Sequence, residues 1–222
     1  MRSVPVVAVP VSQLKCGHCA QPLESFKAQH VCPQCGAPQP LSAADTYFSV
    51  LGVSPNFGLD ASVLEKHFYE VLRVLHPDRF TTFASDLKAL SLDRMSFVNR
   101  AYTTLKDPTL RRDYLLEVKG FKTAESKTSS SLPAELAEEW FEVQELLLED
   151  PAEARKRLLE FESNLEEFKN QLLEKLAGWE RGYDLTQGSG ELEKLASGIQ
   201  TLNYLNSMQR NVERIKANAH PN

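Results

Sequence analysis

Residues 60–80 read DASVLEKHFYEVLRVLHPDRF, and this stretch decides how the middle of the chain folds. Asp60 or Ser62 is a good helix N-cap, because a short side-chain oxygen can accept from the unpaired N–H groups of a first turn. Val63 or Leu64, Phe68, Val71 or Leu72, and Leu75 then recur at the spacing of one helix face. The pattern stops at His76-Pro77, since a residue before proline is steered out of the helical region. Outward on the C-terminal side, a longer helix is predicted from about Asp86 to Lys106, closed by Pro108. Its buried side would carry Leu87, Leu90, Val98, Ala101, Tyr102 and Leu105. On the N-terminal side, DTYFSVLG (45–52) reads as a short helix capped by Asp45 and stopped at Gly52. Three or four helices therefore occupy residues 45–120.

Beyond them, FKTAESKTSSS (121–131) has the polar, low-complexity composition of a linker. Residues 132–222 return to helical periodicity. Leu136, Trp140, Val143 and Leu147 form one apolar stripe, and Leu158, Phe161, Leu165, Phe168, Leu172, Leu176 and Trp179 form a second. Leu192, Leu195, Ile199, Leu202, Leu205, Met208, Val212 and Ile215 form the third. Pro133 and Pro151 suit helix starts, and Gly182 to Gly190 supplies a reversal. Three such helices on short connections predict an antiparallel three-helix bundle, so the fold class is mainly α.

Composition bounds the function. The 222 residues are 42% hydrophobic and 25% charged, ordinary for a globular chain. A net charge of −5 argues against a dedicated nucleic-acid binder. It is uneven: residues 1–45 and 46–120 each carry +1, while 121–222 carry −7, which suggests a rear domain with its own partner. No apolar run approaches the roughly 20 residues that cross a bilayer. The opening MRSVPVVAVPVSQ is too short, and too broken by Pro5 and Pro10, for a secretory signal, so a cytoplasmic location is expected.

All four cysteines fall in residues 16–35, as Cys16-Gly-His-Cys19, twelve residues, then Cys32-Pro-Gln-Cys35-Gly. Two residues between thiols let one tight turn aim both sulfurs at one ion. Two such hooks predict a tetrahedral four-cysteine site in a metal-binding segment, residues 1–40, with zinc the first choice and iron the second. Gly17 and Gly36 are expected to supply the positive φ of the two knuckles, and the residues between them a short hairpin. Four thiolates leave no open position for a substrate, so the ion is expected to be structural and to fold residues 1–40 rather than catalyse, and its loss to leave the fold of 45–120 largely intact. Neither a phosphate-binding glycine loop nor a helix-borne His-Glu-x-x-His occurs, and no catalytic site stands out; the protein is expected not to be an enzyme.

His76-Pro77-Asp78 gains meaning from its setting. It lies between two apolar helices and follows an aromatic-rich turn with Tyr47, Phe48, Leu51 and Gly52. It precedes Asn99-Arg-Ala101-Tyr102-Thr-Thr-Leu105-Lys-Asp107-Pro108-Thr-Leu-Arg111. This constellation resembles a J domain. With Tyr114-Leu115-Leu116 and Leu132-Pro133-Ala134-Glu135-Leu136, residues 45–219 resemble the HscB-type co-chaperones of iron–sulfur cluster assembly. The four-cysteine segment in front resembles eukaryotic-type and some bacterial members.

The resemblance implies two binding sites. His76, Pro77 and Asp78 would engage a DnaK/HscA-type chaperone and stimulate its ATPase, with Lys66 and Arg73 on the preceding helix and Arg79 after the loop adding positive charge. Glu65 and Glu70 make that basic face thin. Ala137, Glu138, Phe141, Glu142 and Glu145, with Tyr204 on the last helix, would bind an IscU-type scaffold. Ala137-Glu138 stands where the family usually has a Leu-Met pair, and Trp140 and Phe141 are placed to compensate. A redox- or metal-responsive J-domain protein, and a general J-domain co-chaperone holding unfolded clients, stay open as alternatives. The second usually carries CxxCxGxG repeats or a Gly/Phe-rich tract, and this sequence has neither.

Overall fold

A computed structural model describes residues 15–121 and 134–218. Residues 1–14, 122–133 (most of the expected linker, with Leu132 and Pro133) and the C-terminal 219–222 lie outside the described residues. The chain divides into two compact units, 1–120 and 121–222. Among the described residues the regular structure is helical throughout, in keeping with the mainly α class expected.

In the first unit, α1 (Tyr47–Val50), α2 (Ala61–Leu75), a 3-10 turn (Pro77–Phe80), α3 (Ser85–Lys106) and α4 (Pro108–Val118) follow in order. The cap of α1 is Thr46, not Asp45: Ser49 N donates to Thr46 Oγ1 at 3.1 Å while Thr46 N donates to Ser49 Oγ at 2.8 Å. Asp45 is drawn instead to Arg94, as described below. Asp60 caps α2, accepting from Ser62 N at 2.8 Å and Val63 N at 3.3 Å. Asp107 caps α4 in the same way and Pro108 takes its first turn, so Pro108 starts a helix as well as closing one. Ring stacks of Phe68 on Tyr102 (4.0 Å) and Tyr47 on Tyr114 (4.2 Å) join α2 to α3 and α1 to α4.

The cysteine segment belongs to this unit and packs on its helices. Its two knuckles repeat one backbone pattern. Ala20 N donates to Cys16 O and Gly36 N to Cys32 O, each at 2.9 Å, and Cys16 N and Cys32 N donate to Gln21 O and Ala37 O. The left-handed residue follows the second cysteine of each pair, so it is Ala20 (φ 60°) rather than Gly17 in the first knuckle and Gly36 (φ 70°) in the second. Among the described residues the pairing is one isolated bridge per knuckle, Lys15 with Pro22 and Val31 with Pro38; a bend and turns occupy 25–30 in place of the expected hairpin.

The second unit holds α5 (Ala134–Glu149), α6 (Pro151–Thr186) and α7 (Ser189–Asn218), an antiparallel three-helix bundle. Its buried residues largely follow the three predicted stripes, with Trp140, Leu147, Phe168, Trp179, Leu202 and Ile215 only half-buried. Each fully buried Leu or Phe contributes roughly 1.5–3 kcal/mol of transfer free energy. The α6–α7 reversal is tighter than the Gly182–Gly190 stretch suggests: Gln187 in the left-handed region (φ 53°) ends α6, and Gly188 leads into α7. Helices α6 and α7 meet so closely at Gly198 that a Cβ there would lie 2.8 Å from Leu176 and 2.9 Å from Trp179.

Candidate functional site

The exposed corner after α2 is held from beneath. Phe80 is 1% exposed, whereas His76, Pro77, Asp78 and Arg79 are all exposed. His76 has left the helix (φ −56°, ψ 130°), as a pre-proline residue should. Ser91 Oγ, from α3, donates to Leu75 O at 3.0 Å and so satisfies a carbonyl that the end of α2 would leave unpaired. The Asp78 side chain is 85% exposed, and its nearest cation-forming neighbour is His76 Nδ1 at 3.5 Å. That nitrogen also faces the Asp78 N–H at 3.4 Å, and both side chains are exposed, so the carboxylate is reachable by a partner. Lys66 and Arg73 are exposed on α2.

The four thiols converge. Their sulfurs all lie within 4.8 Å of one another, with Cys16–Cys35 and Cys19–Cys32 both at 3.7 Å. No disulfide joins them. A tetrahedron with metal–sulfur bonds of about 2.3 Å has edges of about 3.7 Å, so the residues present fit one metal ion. Burial raises the Cys16 thiol, but donors from Cys19 N, His18 N and Gln39 Nε2 outweigh it and bring it to about 6. Cys35 is pushed the other way, to about 12, chiefly by burial. Gln39 organises this end, accepting from Gly17 N at 3.0 Å and donating to Ala37 O at 2.8 Å. His18 takes no place among the ligand atoms.

A buried polar joint ties the cysteine segment to α3 and α1. Arg94 on α3 is 2% exposed; its Nη1 donates to Pro40 O at 2.9 Å and pairs with Asp45 Oδ2 at 3.3 Å. Its Nε donates to His30 Nδ1 at 3.0 Å, and His30 Nε2 lies 2.8 Å from Val50 O. A carbonyl only accepts, so His30 is the neutral Nε2–H tautomer. Burial, then the Arg94 charge, push its pKa down to about 3. Close by, a Cβ on Gly36 would lie 3.4 Å from Phe83 Cζ, and Phe83 in turn meets Phe80 with ring centroids 5.6 Å apart. The second knuckle therefore abuts the residues that follow the His-Pro-Asp corner, and the segment packs on the helices of residues 45–120.

On the bundle, Ala137, Glu138, Phe141, Glu142 and Glu145 share one face of α5, with Ala137 half-buried and the others exposed. Phe141 is 65% exposed; Trp140 packs on Phe161 with centroids 5.2 Å apart. Glu142 pairs with Arg157 of α6 at 2.6 Å. Tyr204, on α7, is 43% exposed. Leu148, two turns beyond Phe141 on the same face, is 89% exposed and was not singled out from sequence. His30, Gln39, Ser91 and Arg94 were also missed. For Arg94 a signal existed: Ser91, Arg94, Val98, Ala101 and Leu105 step at helical core spacing, so a charge stands where an apolar residue is expected.

A helix hairpin with an exposed His-Pro-Asp corner defines a J-domain protein, and the DnaJ domain family model matches residues 46–114. The similarity extends further. The co-chaperone HscB homologue of Shewanella loihica is 30% identical, over 76% of this chain and 95% of its own length. That of Bordetella avium is 35% identical over 46% of this chain and 61% of its own. Human co-chaperone HscB, a solved structure, superposes with a TM-score of 0.60 at 24% identity, over 91% of this chain and 98% of its own. The chain belongs to the HscB co-chaperone family.

Proposed function

We propose that this co-chaperone couples two partners, presenting an IscU-type iron–sulfur scaffold to a DnaK/HscA-type chaperone and stimulating that chaperone's ATPase. The observation that carries the reading is the corner: an exposed carboxylate, Asp78, stiffened by Pro77 and anchored by buried Phe80. An arginine on the chaperone would form a charge-assisted pair with Asp78 as the contact dries. Because the proline and the Ser91 bond already fix the loop, little ordering entropy is lost on docking. Residues 45–120 act as the chaperone-facing domain and 132–222 as the scaffold-facing one, joined through 121–131. The 1–40 segment holds a structural zinc on Cys16, Cys19, Cys32 and Cys35, the all-sulfur set favouring zinc with iron second. The work is binding rather than bond-making, and it belongs in the cytoplasm.

For the scaffold, Phe141 is the anchor, Glu138 and Glu145 rim it, and Leu148 extends the apolar contact in place of the missing Leu-Met pair. Replacing both Phe141 and Tyr204 with alanine is expected to weaken scaffold affinity by roughly 2 kcal/mol or more, since exposed aromatics of this kind often dominate an interface. Titration calorimetry against an IscU-type scaffold checks this. Unchanged affinity with an intact bundle places the interface elsewhere.

A further inference from the structure

Lys66, Glu70 and Arg73 follow at intervals of four and three along α2 and so share one stripe of the helix. Within α2 alone, Glu70 breaks a cationic strip at its centre. The cysteine segment changes that. Lys27, in the turn between the two knuckles, places Nζ 3.1 Å from Glu70 Oε2, with the Lys27 side chain still 52% exposed. The hydrogen bond from Lys27 outweighs the effect of burial on Glu70, and the charges of Lys27, Lys66 and His67 act with it to hold the carboxyl below its ordinary range.

Lys27 is held in position by its neighbours. Phe26 packs on His67 of α2 with centroids 5.2 Å apart. It also fills the space over Gly52, where φ is +60° and a Cβ would lie 2.7 Å from the Phe26 ring. Ala28 is 4% exposed, and His30 is locked between Arg94 and Val50 O. The turn thus fixes one lysine over the acidic gap in the helix.

We propose that residues 25–30 of the cysteine segment are part of the chaperone-docking face, with Lys27 converting the Lys66–Glu70–Arg73 stripe into a continuous cationic strip that fits an acidic surface on the partner. The inference rests on the docking role proposed above. Lys27, Lys66 and Arg73 set against Glu70 leave a net +2, against +1 for the stripe of α2 alone. An exposed pair of this kind adds little stability. Its effect falls on electrostatic steering of encounter, which salt screens over about 10 Å at 0.1 M.

The test compares full-length wild type with Lys27→Glu, Lys27→Gln, Lys27→Arg and Asp78→Asn, measuring association with an ATP-bound DnaK-type chaperone and stimulated ATP hydrolysis. Lys27→Glu is expected to slow association about tenfold at low ionic strength and Lys27→Gln about threefold, with both differences shrinking below about twofold near 0.5 M salt. Lys27→Arg should match wild type, and melting temperatures should not move. Wild-type association by Lys27→Glu and Lys27→Gln at low salt, with Asp78→Asn inactive, overturns the inference and leaves the docking reading standing. An active Asp78→Asn removes the docking reading and the inference with it.

Discussion

The front and rear units are stabilised in different ways. The bundle of α5, α6 and α7 relies on three apolar stripes, with its charges at the surface and its ion pairs exposed or half-buried there. The front unit has a comparable apolar centre, but its cysteine segment is tied on by a buried polar knot of Arg94, His30, Asp45 and the Pro40 carbonyl. Apolar packing tolerates the loss of a contact in proportion to area, whereas a buried polar network fails disproportionately once one member goes. The two units should therefore respond to different perturbations.

The largest expected effect is at Arg94. Replacing it with methionine leaves the Asp45 carboxylate and His30 Nδ1 without their shared donor, and loss of one partner from a buried ionic network costs about 3–5 kcal/mol. Urea unfolding should show this for the front unit while the bundle's transition stays in place. A loss below about 1 kcal/mol would mean that the knot is not needed to hold the segment. Next is Gly198→Leu in the bundle, where even a Cβ would meet Leu176 and Trp179 below 3 Å. Overpacking there is expected to cost about 1–3 kcal/mol and to spare the front unit.

Acid should separate the units again, by a smaller margin. His30 has an ordinary histidine pKa near 6.5 when unfolded and about 3 when folded, so the unfolded chain binds the extra proton between those values. The stability from keeping His30 neutral is complete above pH 6.5 and is lost as pH falls toward 3. At pH 5 the front unit should have lost about 2 kcal/mol from this group alone. A His30→Gln variant should flatten that slope, and an unchanged slope would assign it to other groups.

How far each unit could be read from sequence follows from the same contrast. The bundle is written in periodic form, and its stripes named most of the core from Leu136 to Val212, though buried Ala154 and Tyr183, exposed Leu148 and the tightness of the Gln187–Gly188 turn were missed. The cysteine spacing likewise announced a four-sulfur cluster, because two residues between thiols impose the geometry locally. What sequence did not give was long-range and polar. Asp45 looked like a helix cap because Arg94, 49 positions away, is invisible to a local reading. His30 and Gln39 belong to no motif, and their roles exist only once the knuckles sit on α1 and α3. Arg94 alone left a trace, as a charge on a core stripe. The corner lies between these cases: Pro77 dictates the break locally, but the Ser91 bond beneath it and the approach of Gly36 to Phe83 come from distant chain.

Asp78 is the residue on which chaperone contact depends, and its substitution should barely change stability because the side chain is 85% exposed. The most direct test is steady-state ATP hydrolysis by a DnaK-type chaperone with wild type or Asp78→Asn added. Stimulation lost by Asp78→Asn, with an unchanged melting temperature, is the predicted result. Full stimulation by that variant would contradict the assignment of the corner as the chaperone contact.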